Sequence, residues 1–580
     1  MREIAHETEL CIIGGGMAGV CAAIAAARRG AKVVLMQDRP VLGGNASSEI
    51  RMWICGAHGP NNRETGILEE IMLENLYRNP DANFSVWDSV IYEKVKAEPN
   101  ITLLLNCHCT GCEMDDGRIK SVYGIQLTNE TRHTVASRLF ADCSGDSVLA
   151  PLTGAEFRVG RESASEFNES IEPAEADRMT MGMSVLFQIR ETDSPKPFIP
   201  PSFAYVYESD DSFPFREHDK KTNFWWIELG GNEDSICDTE EKRDELLKIV
   251  FGVWDHMKNR GDHGVENWQL EWIGFLPGKR ESRRYVGDVI MNQNDVAAEG
   301  RFDDLVAYGG WTMDDHHPEG FLYPGPPNIF HPAPSPFGIP YRCLYSKNIE
   351  NLLFAGRNIS VTHAALSSTR VMATCAVLGQ ALGTAAAIAV QKNLAPRRIY
   401  ETEMPNLQQQ LMDDDCYLPF HRRRISRAAE EAVIMEDPGA SVLKNGYDRP
   451  IGQEDNGWRC ALGESLTYRL RNPIRIAKIR LVFNSDLNRA IHNMPCNYPL
   501  RQEGFHVPES LVKEYRMEIS ADGITYKTIR YEKNNYQRLV KFPVDSIGQY
   551  IRFTPLSTWG SVHNRTAFGE KAHIFAWDFE

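Results

Sequence analysis

The pattern of apolar and polar positions changes period twice within the first 36 residues. Glu9-Leu10-Cys11-Ile12-Ile13 is an apolar run that stops at Gly14-Gly15-Gly16, the pattern of a strand buried in a parallel sheet. Met17-Ala18-Gly19-Val20-Cys21-Ala22-Ala23-Ile24 opens a helix of small residues, with Gly30 as its C-cap, and Ala31 to Met36 is a second strand. Further along, Ile101 to Leu105 reads as a strand that continues through Asn106-Cys107-His108-Cys109 to the turn Asp115-Asp116-Gly117. Asn223-Phe224-Trp225-Trp226-Ile227-Glu228-Leu229 reads as a strand with aromatics on both faces, either a core strand or one whose Trp226 and Glu228 line a pocket. An alanine- and glycine-rich helix runs to Ala389, with Ser367 or Ser368 as its N-cap. The helical pattern stops near Asp415. From about Glu436 short alternating strands separated by turns follow, among them Ile476 to Phe483, Tyr515 to Ser520 and Tyr550 to Phe553.

The first strand, glycine turn and helix form a socket for a dinucleotide pyrophosphate. Gly14 allows the tight turn, Gly16 lets phosphate approach the backbone, and Gly19 lets the helix pack on the strand. The free N–H groups and positive dipole end of the helix, at Met17 and Ala18, favour an anion.

Composition narrows the picture modestly. At 580 residues the chain exceeds one hydrophobic core, so two or three domains are expected. A net charge of −16 argues against a nucleic-acid partner. No run approaches the roughly 20 apolar residues that span a bilayer, and no secretory signal is read, so no membrane partner and a cytoplasmic location are expected. Thirteen scattered cysteines without a disulfide framework fit a reducing compartment.

Beyond the second strand, Gln37-Asp38-Arg39-Pro40-Val41-Leu42-Gly43-Gly44-Asn45-Ala46-Ser47-Ser48-Glu49-Ile50-Arg51 carries a Gly-Gly pair just past the ribose-binding position. This segment resembles FAD-binding folds of the glutathione-reductase and succinate-dehydrogenase type, within an FAD-dependent oxidoreductase family. The resemblance implies FAD as cofactor and Gly43, Gly44, Asn45, Ser48 and Arg51 in its site. The family usually has Glu at the ribose position; this chain has Gln37 followed by Asp38, which leaves the ribose ligand open between them. Leu139 to Asp146 resembles the strand and turn that return beneath FAD, implicating Ser144, Gly145 and Asp146. Asn351 to Asn358 resembles the last FAD strand, implicating Gly356 and Arg357. Ser367 to Thr374 then begins the helix whose N-terminus, in this superfamily, faces the flavin pyrimidine ring, implicating Arg370, Val371 and Met372. No second GxGxxG lies in a strand–helix setting, and no CxxxxC pair follows the first one. A built-in nicotinamide domain and a disulfide reductase are therefore not expected.

The expected fold class is α/β: a Rossmann-like FAD-binding domain with an inserted α+β substrate domain, followed by an all-β sandwich of jelly-roll type. The expected segments are 1–155 and 341–430 for FAD, 156–340 for the substrate cap, and 431–580 for the sandwich. Asn445-Gly446-Tyr447-Asp448-Arg449, Trp458 and Ile574 to Phe579 make that last segment similar to discoidin-like, galactose-binding-type modules.

Candidate chemistry concentrates in the cap. Pro277-Gly278-Lys279-Arg280-Glu281-Ser282-Arg283-Arg284 reads either as a solvated basic face or as Arg280 or Arg283 meeting the flavin or an oxygen-rich substrate. In Asp314-Asp315-His316-His317, neighbours on an extended chain point to opposite sides, so no metal is assigned. Instead His316 or His317 is a candidate base, oriented by Asp314 or Asp315, and His363 is a second candidate. The leading functional expectation is a flavoenzyme oxidising a hydroxyl of a sugar or glycoside to a carbonyl, with hydride passing to flavin N5 and a separate electron acceptor reoxidising it. Two alternatives remain: reduction of an activated C=C bond, with Arg280 or Arg51 as donor or carboxylate clamp, and a carbohydrate-binding protein with a relict FAD fold. A homo-oligomer is compatible with all three.

Overall fold

The computed structural model describes residues 1–490, 494–496, 505–562 and 570–580. They form two compact units. The first comprises 1–58, 82–407 and 494–496, and the second 59–81, 408–490, 505–562 and 570–580.

The first unit is built on a seven-stranded sheet. Its strands are β1 (Arg2–Ile13), β2 (Val33–Met36), β3 (Ile101–Leu104), β4 (Cys107–Asp115), β5 (Arg118–Gln126), β6 (Thr131–Asp142) and β7 (Leu352–Phe354). The order is β3-β2-β1-β6-β5-β4, with β7 beside the far half of β6. The first four strands of that order and β7 run parallel, in the registers Leu10↔Val33, Ile13↔Asp142 and Phe354↔Asp142, while β4, β5 and β6 form an antiparallel meander. The apolar run Leu10–Ile13 is buried at the centre of this sheet, which is why it shows no alternation.

Helix α1 (Met17–Arg28) follows β1 and ends in a Schellman turn: Gly30 N–H bonds the Ala27 carbonyl, Ala31 N–H bonds Ala26, and Gly30 takes φ +88°. The apolar stretch before residue 390 is two helices rather than one. Helix α2 (His363–Thr369) is capped by the Thr362 hydroxyl, Arg370–Val371 breaks the path, and α3 (Met372–Lys392) starts afresh. Ser367 and Ser368 therefore cap nothing; inside α2 their hydroxyls bond the Ala364 and Trp311 carbonyls. Helix α3 crosses α1 at very short range. A Cβ on Gly379 would stand 2.0 Å from the Ala18 carbonyl oxygen, and one on Gly383 2.1 Å from that of Ala22. Two glycines one turn apart let the backbones touch.

The absence of a near-20-residue apolar run needs correction. Met372–Lys392 has 21 residues and a mean hydropathy of 1.7, long and apolar enough to cross a membrane by those criteria, although its apolar window is wholly buried in the protein. Its interrupting polar residues, Thr374, Gln380 and Thr384, hide the run from a count of consecutive apolar letters.

Between β6 and β7 lie small sheets and a helix. Met183–Ser184 pairs with Glu228–Leu229 and Gly278–Lys279, and Phe187–Glu191 pairs with Trp268–Ile273, beside the helix Thr239–Asp255. The aromatic run at 223–229 is a strand only over Glu228–Leu229. Upstream the chain turns, with Phe224 at φ +57°, the Asn223 side chain accepting the Trp225 N–H, and Trp226 Nε1 donating to the Glu217 carbonyl. Phe224 and Trp226 are buried in an apolar cluster with Phe187, Phe213 and Trp254, so packing satisfies the aromatics without a ladder.

The second unit contains a seven-stranded antiparallel sheet in which Leu466–Phe483 and Leu539–Thr558 run side by side through several register shifts. The three strand segments expected here all lie within its strands. The helix Ile67–Arg78 belongs to this unit: Arg489 meets the buried Glu69 carboxylate through two bonds of 2.9 and 2.7 Å, and Tyr77 stacks on Tyr536 at 4.0 Å. All thirteen cysteines are free thiols.

Candidate functional site

The cleft at the carboxyl ends of the parallel strands has a volume of about 460 Å³. It gathers four separated stretches of the first unit. Gly14, Gly16, Met17 and Ala18 come from the first turn; Gln37, Asp38, Gly43, Gly44 and Asn45 follow β2; Ser144, Gly145 and Asp146 follow β6; and Gly356, Arg357, Arg370, Val371 and Met372 follow β7. Cys107, His108 and Cys109 of β4 and Trp53 complete part of its wall.

Several features of the cleft fit a dinucleotide. Gly14 takes φ +100°, and a Cβ there would stand 2.5 Å from the Cys143 carbonyl group. Gly19 is not in the wall; its Cβ would fall 1.9 Å from the Gly14 oxygen, so its task is to seat α1 on the turn. Neither α1 nor α3 has a side-chain cap or an acidic residue in its first turn, and both N-termini open on this cleft. Two helix N-termini without side-chain caps favour anionic groups, which fits a dinucleotide.

The two ribose candidates differ in availability. Gln37 is buried, its amide oxygen accepting the Gly15 N–H at 2.6 Å and its amide nitrogen donating to the Val41 carbonyl. The Asp38 carboxylate is about half exposed in the cleft wall, 3.9 Å from Arg39 Nε. At the far side, Asp146 accepts Lys279 at 2.9 Å, Arg357 at 2.7 Å and the Ser282 hydroxyl at 2.8 Å. Burial would raise this carboxyl, but Arg357 and Lys279 outweigh it and bring it down to about 2. Asp142 is pushed up by complete burial and accepts bonds from Ser144 N–H and hydroxyl, Leu149 N–H, the Tyr285 hydroxyl and, at 3.5 Å, Asn358 Nδ2.

Besides Gly19, two predicted cofactor residues, Ser48 and Arg51, stand outside the wall. Ser48 N–H bonds the Asp88 carboxylate. Arg51 lies between the Phe84 and Trp272 rings, 4.5 and 4.3 Å from their centroids, and its Nη1 meets Gln188. Burial pushes its guanidinium down to about 10.

The basic segment is not a solvated face. Arg280 is buried, lines the cleft, and donates to the Ser184 hydroxyl at 2.9 Å and the Trp225 carbonyl at 3.0 Å, with Glu228 3.3 Å away. Arg370, also in the wall, donates to Asp314 Oδ2 at 3.3 Å and to its carbonyl. Behind these arginines, His316 is clasped by Glu228 at Nδ1 (2.6 Å) and Asp314 at Nε2 (3.3 Å), with Trp225 edge-on at 5.1 Å. Burial would raise both carboxyls. For Glu228, Arg280 and His316 outweigh it; for Asp314, His316 and Arg370 do, and both groups stay below the usual range.

The strand Met313–His316 alternates as its period requires. Asp314 and His316 face the arginines, while Asp315 points to the other side and meets His363 Nε2 at 3.1 Å. His317 joins neither group: its ring stacks on Tyr323 at 3.5 Å, and burial lowers its basicity. His363 is held in the same manner as His316: Glu281 at 2.9 Å and Asp315 at 3.1 Å meet its two ring nitrogens, and although burial opposes it, these carboxylates raise the imidazole well above its ordinary value. The sequence reading did not reach Glu281, whose other oxygen meets the buried Arg284 at 2.6 Å, nor Glu162, which closes that chain of charges at 2.9 Å. Acid–base alternation at Glu281 and Arg284 was the available signal.

The family described as FAD dependent oxidoreductase matches residues 9–411, and the chain belongs to it; FAD is its cofactor and oxidoreduction its chemistry. No curated protein matches the chain in sequence. Among solved structures, the family 32 carbohydrate-binding module from Streptococcus pneumoniae EndoD is similar at 12% identity, covering 27% of this chain and 99% of the module, with a TM-score of 0.20. The family 32 module of C. perfringens NanJ in complex with galactose is similar at 12% identity over 27% of this chain and 97% of its own, with a TM-score of 0.19. The C-terminal domain of a chitobiase from Bacteroides fragilis is similar at 16% identity over 26% and 95%, with a TM-score of 0.18.

Proposed function

We propose that this FAD-dependent oxidoreductase oxidises a hydroxyl group, on a sugar or glycoside, to a carbonyl. FAD, when bound, supplies the two-electron acceptor. The observation that carries the reading is the clasp of His316 between Glu228 and Asp314, directly behind the two arginines of the cleft wall. Arg280 and Arg370 orient the substrate oxygens, and Trp53 offers an aromatic face to a sugar ring. The hydroxyl proton passes by way of Asp314 to His316, whose Nε2 faces Asp314 and whose Nδ1 is oriented by Glu228. Asp38 accepts the ribose hydroxyls, because Gln37 is committed to the glycine turn. The sugar assignment also draws on the resemblance of the C-terminal segment to discoidin-like modules.

The arginine pair, with Arg280 buried and Arg370 partly buried, favours a second reading, in which it clamps the carboxylate of an unsaturated acid whose C=C bond is reduced. Anaerobic mixing distinguishes the two. Bleaching of the oxidised holoenzyme by sugars or glycosides supports hydroxyl oxidation. Reoxidation of the reduced holoenzyme by unsaturated carboxylates, with no response to polyols, overturns it in favour of the reductase.

A further inference from the structure

Away from the cleft, three histidines and an aspartate converge in the first unit. One ligand atom each from Asp210, His218, His256 and His263 lies within 4.8 Å of all the others. Asp210 Oδ1 stands 2.9 Å from His256 Nε2, 3.5 Å from His218 Nε2 and 3.6 Å from His263 Nε2, and the His256 and His263 Nε2 atoms are 3.2 Å apart. A tetrahedral ion with nitrogen and oxygen bonds of about 2.0–2.1 Å has ligand–ligand edges of about 3.3–3.4 Å. The four distances bracket that value.

The tautomers also suit a metal. His256 Nδ1 is 2.9 Å from the Tyr207 carbonyl, and His218 Nδ1 is 2.9 Å from the Arg216 carbonyl. A carbonyl only accepts, so each Nδ1 carries the hydrogen and each Nε2 presents its lone pair to the cluster. Backbone oxygens that fix the outer nitrogen of a ligating imidazole are the usual support of a metal site. Three imidazoles and one carboxylate, closed to four ligands, match structural zinc better than the hard, oxygen-bound cations.

We propose that Asp210, His218, His256 and His263 bind one zinc ion that staples the long 193–227 connection to the end of the helix Thr239–Asp255. That connection carries only a turn of 3-10 helix, Asp210–Ser212, and loops of such length are uncommon unless something holds them. Its far end delivers Trp225, whose carbonyl accepts Arg280 and the Ser184 hydroxyl and whose ring meets His316. The metal thus fixes a loop that shapes the cleft wall without touching substrate.

The test uses tag-free holoenzyme, since a histidine tag would itself carry zinc. Elemental analysis after exposure to zinc sulfate and desalting should find one zinc per chain, and a chelator should lower the unfolding midpoint until zinc is restored. His218→Gln combined with His263→Gln should lose the ion while keeping the flavin spectrum, which shows that the fold survives. Cobalt loaded in place of zinc should give the visible bands of a tetrahedral site. Wild-type protein that takes up no zinc, or variants that retain it fully, would overturn the proposal; a cluster holding only protons would give that result.

Discussion

At the residue scale, the two faces of the Met313–His316 strand meet different histidines. His316 sits behind the arginines of the cleft wall, whereas His363 is held on the other side between Glu281 and Asp315. The sequence made His316 a candidate because it follows two acidic residues and His363 because it stands just before the flavin helix, and it could not show which carboxylates would close around each ring. The pH behaviour separates them. The folded-state value of His363 is raised, so its contribution to stability is full below the unfolded value near 6.5 and is lost as pH rises through the folded value. Glu281 and Asp315 are held low, because His363 outweighs their burial, so their share disappears as pH falls through the acidic range. Replacing His363 with Ala leaves a buried carboxylate partly uncompensated and should cost about 3 kcal/mol. Thermal unfolding at several pH values should show that deficit at neutral pH, shrinking in acid. The ribose position is a second residue-scale test. Asp38→Ala should weaken FAD about tenfold to a hundredfold, the loss of a hydrogen bond to a charged group, measured by flavin titration of the apoprotein. Unchanged affinity would return that role to Gln37.

At the element scale, the buried end of β1, the glycine turn, α1 and the core of β2 were legible, because a buried strand, a Schellman glycine and small-residue spacing each leave a local mark, whereas the largely exposed Arg2–Thr8 half of β1 carries no apolar run and was not. Nor was the start of α3. Ser367 and Ser368 resemble caps in sequence, but Thr362 caps an earlier short helix, and the break at Arg370–Val371 comes from placing Arg370 against Asp314. The crossing of α3 over α1 holds both helix N-termini on one cleft. Gly383→Val should therefore do more than overpack: besides a stability loss of about 1–3 kcal/mol or more, it should splay the helices and release FAD. Retained flavin with an unchanged unfolding midpoint would show that the contact is not needed.

At the scale of the whole molecule, the carboxyl-terminal strands were legible from their alternation, but the partner of residues 59–81 was not. That segment groups with the β-rich unit through Arg489 and Glu69, an ion pair between residues 420 positions apart that no local pattern announces. Arg489→Met should strand a buried carboxylate and lower the stability of the β-rich unit by about 3–5 kcal/mol. Calorimetry should show that transition shifting down, while the flavin-binding unit, which contains neither residue, keeps its spectrum.

The central claim is that His316 accepts the proton of the substrate hydroxyl. Its most direct test is the rate at which a sugar or glycoside that bleaches the wild-type holoenzyme reduces the flavin of His316→Gln under anaerobic stopped flow. The variant should bind FAD normally and be reduced about 10²–10⁴-fold more slowly. Reduction at the wild-type rate would contradict the account.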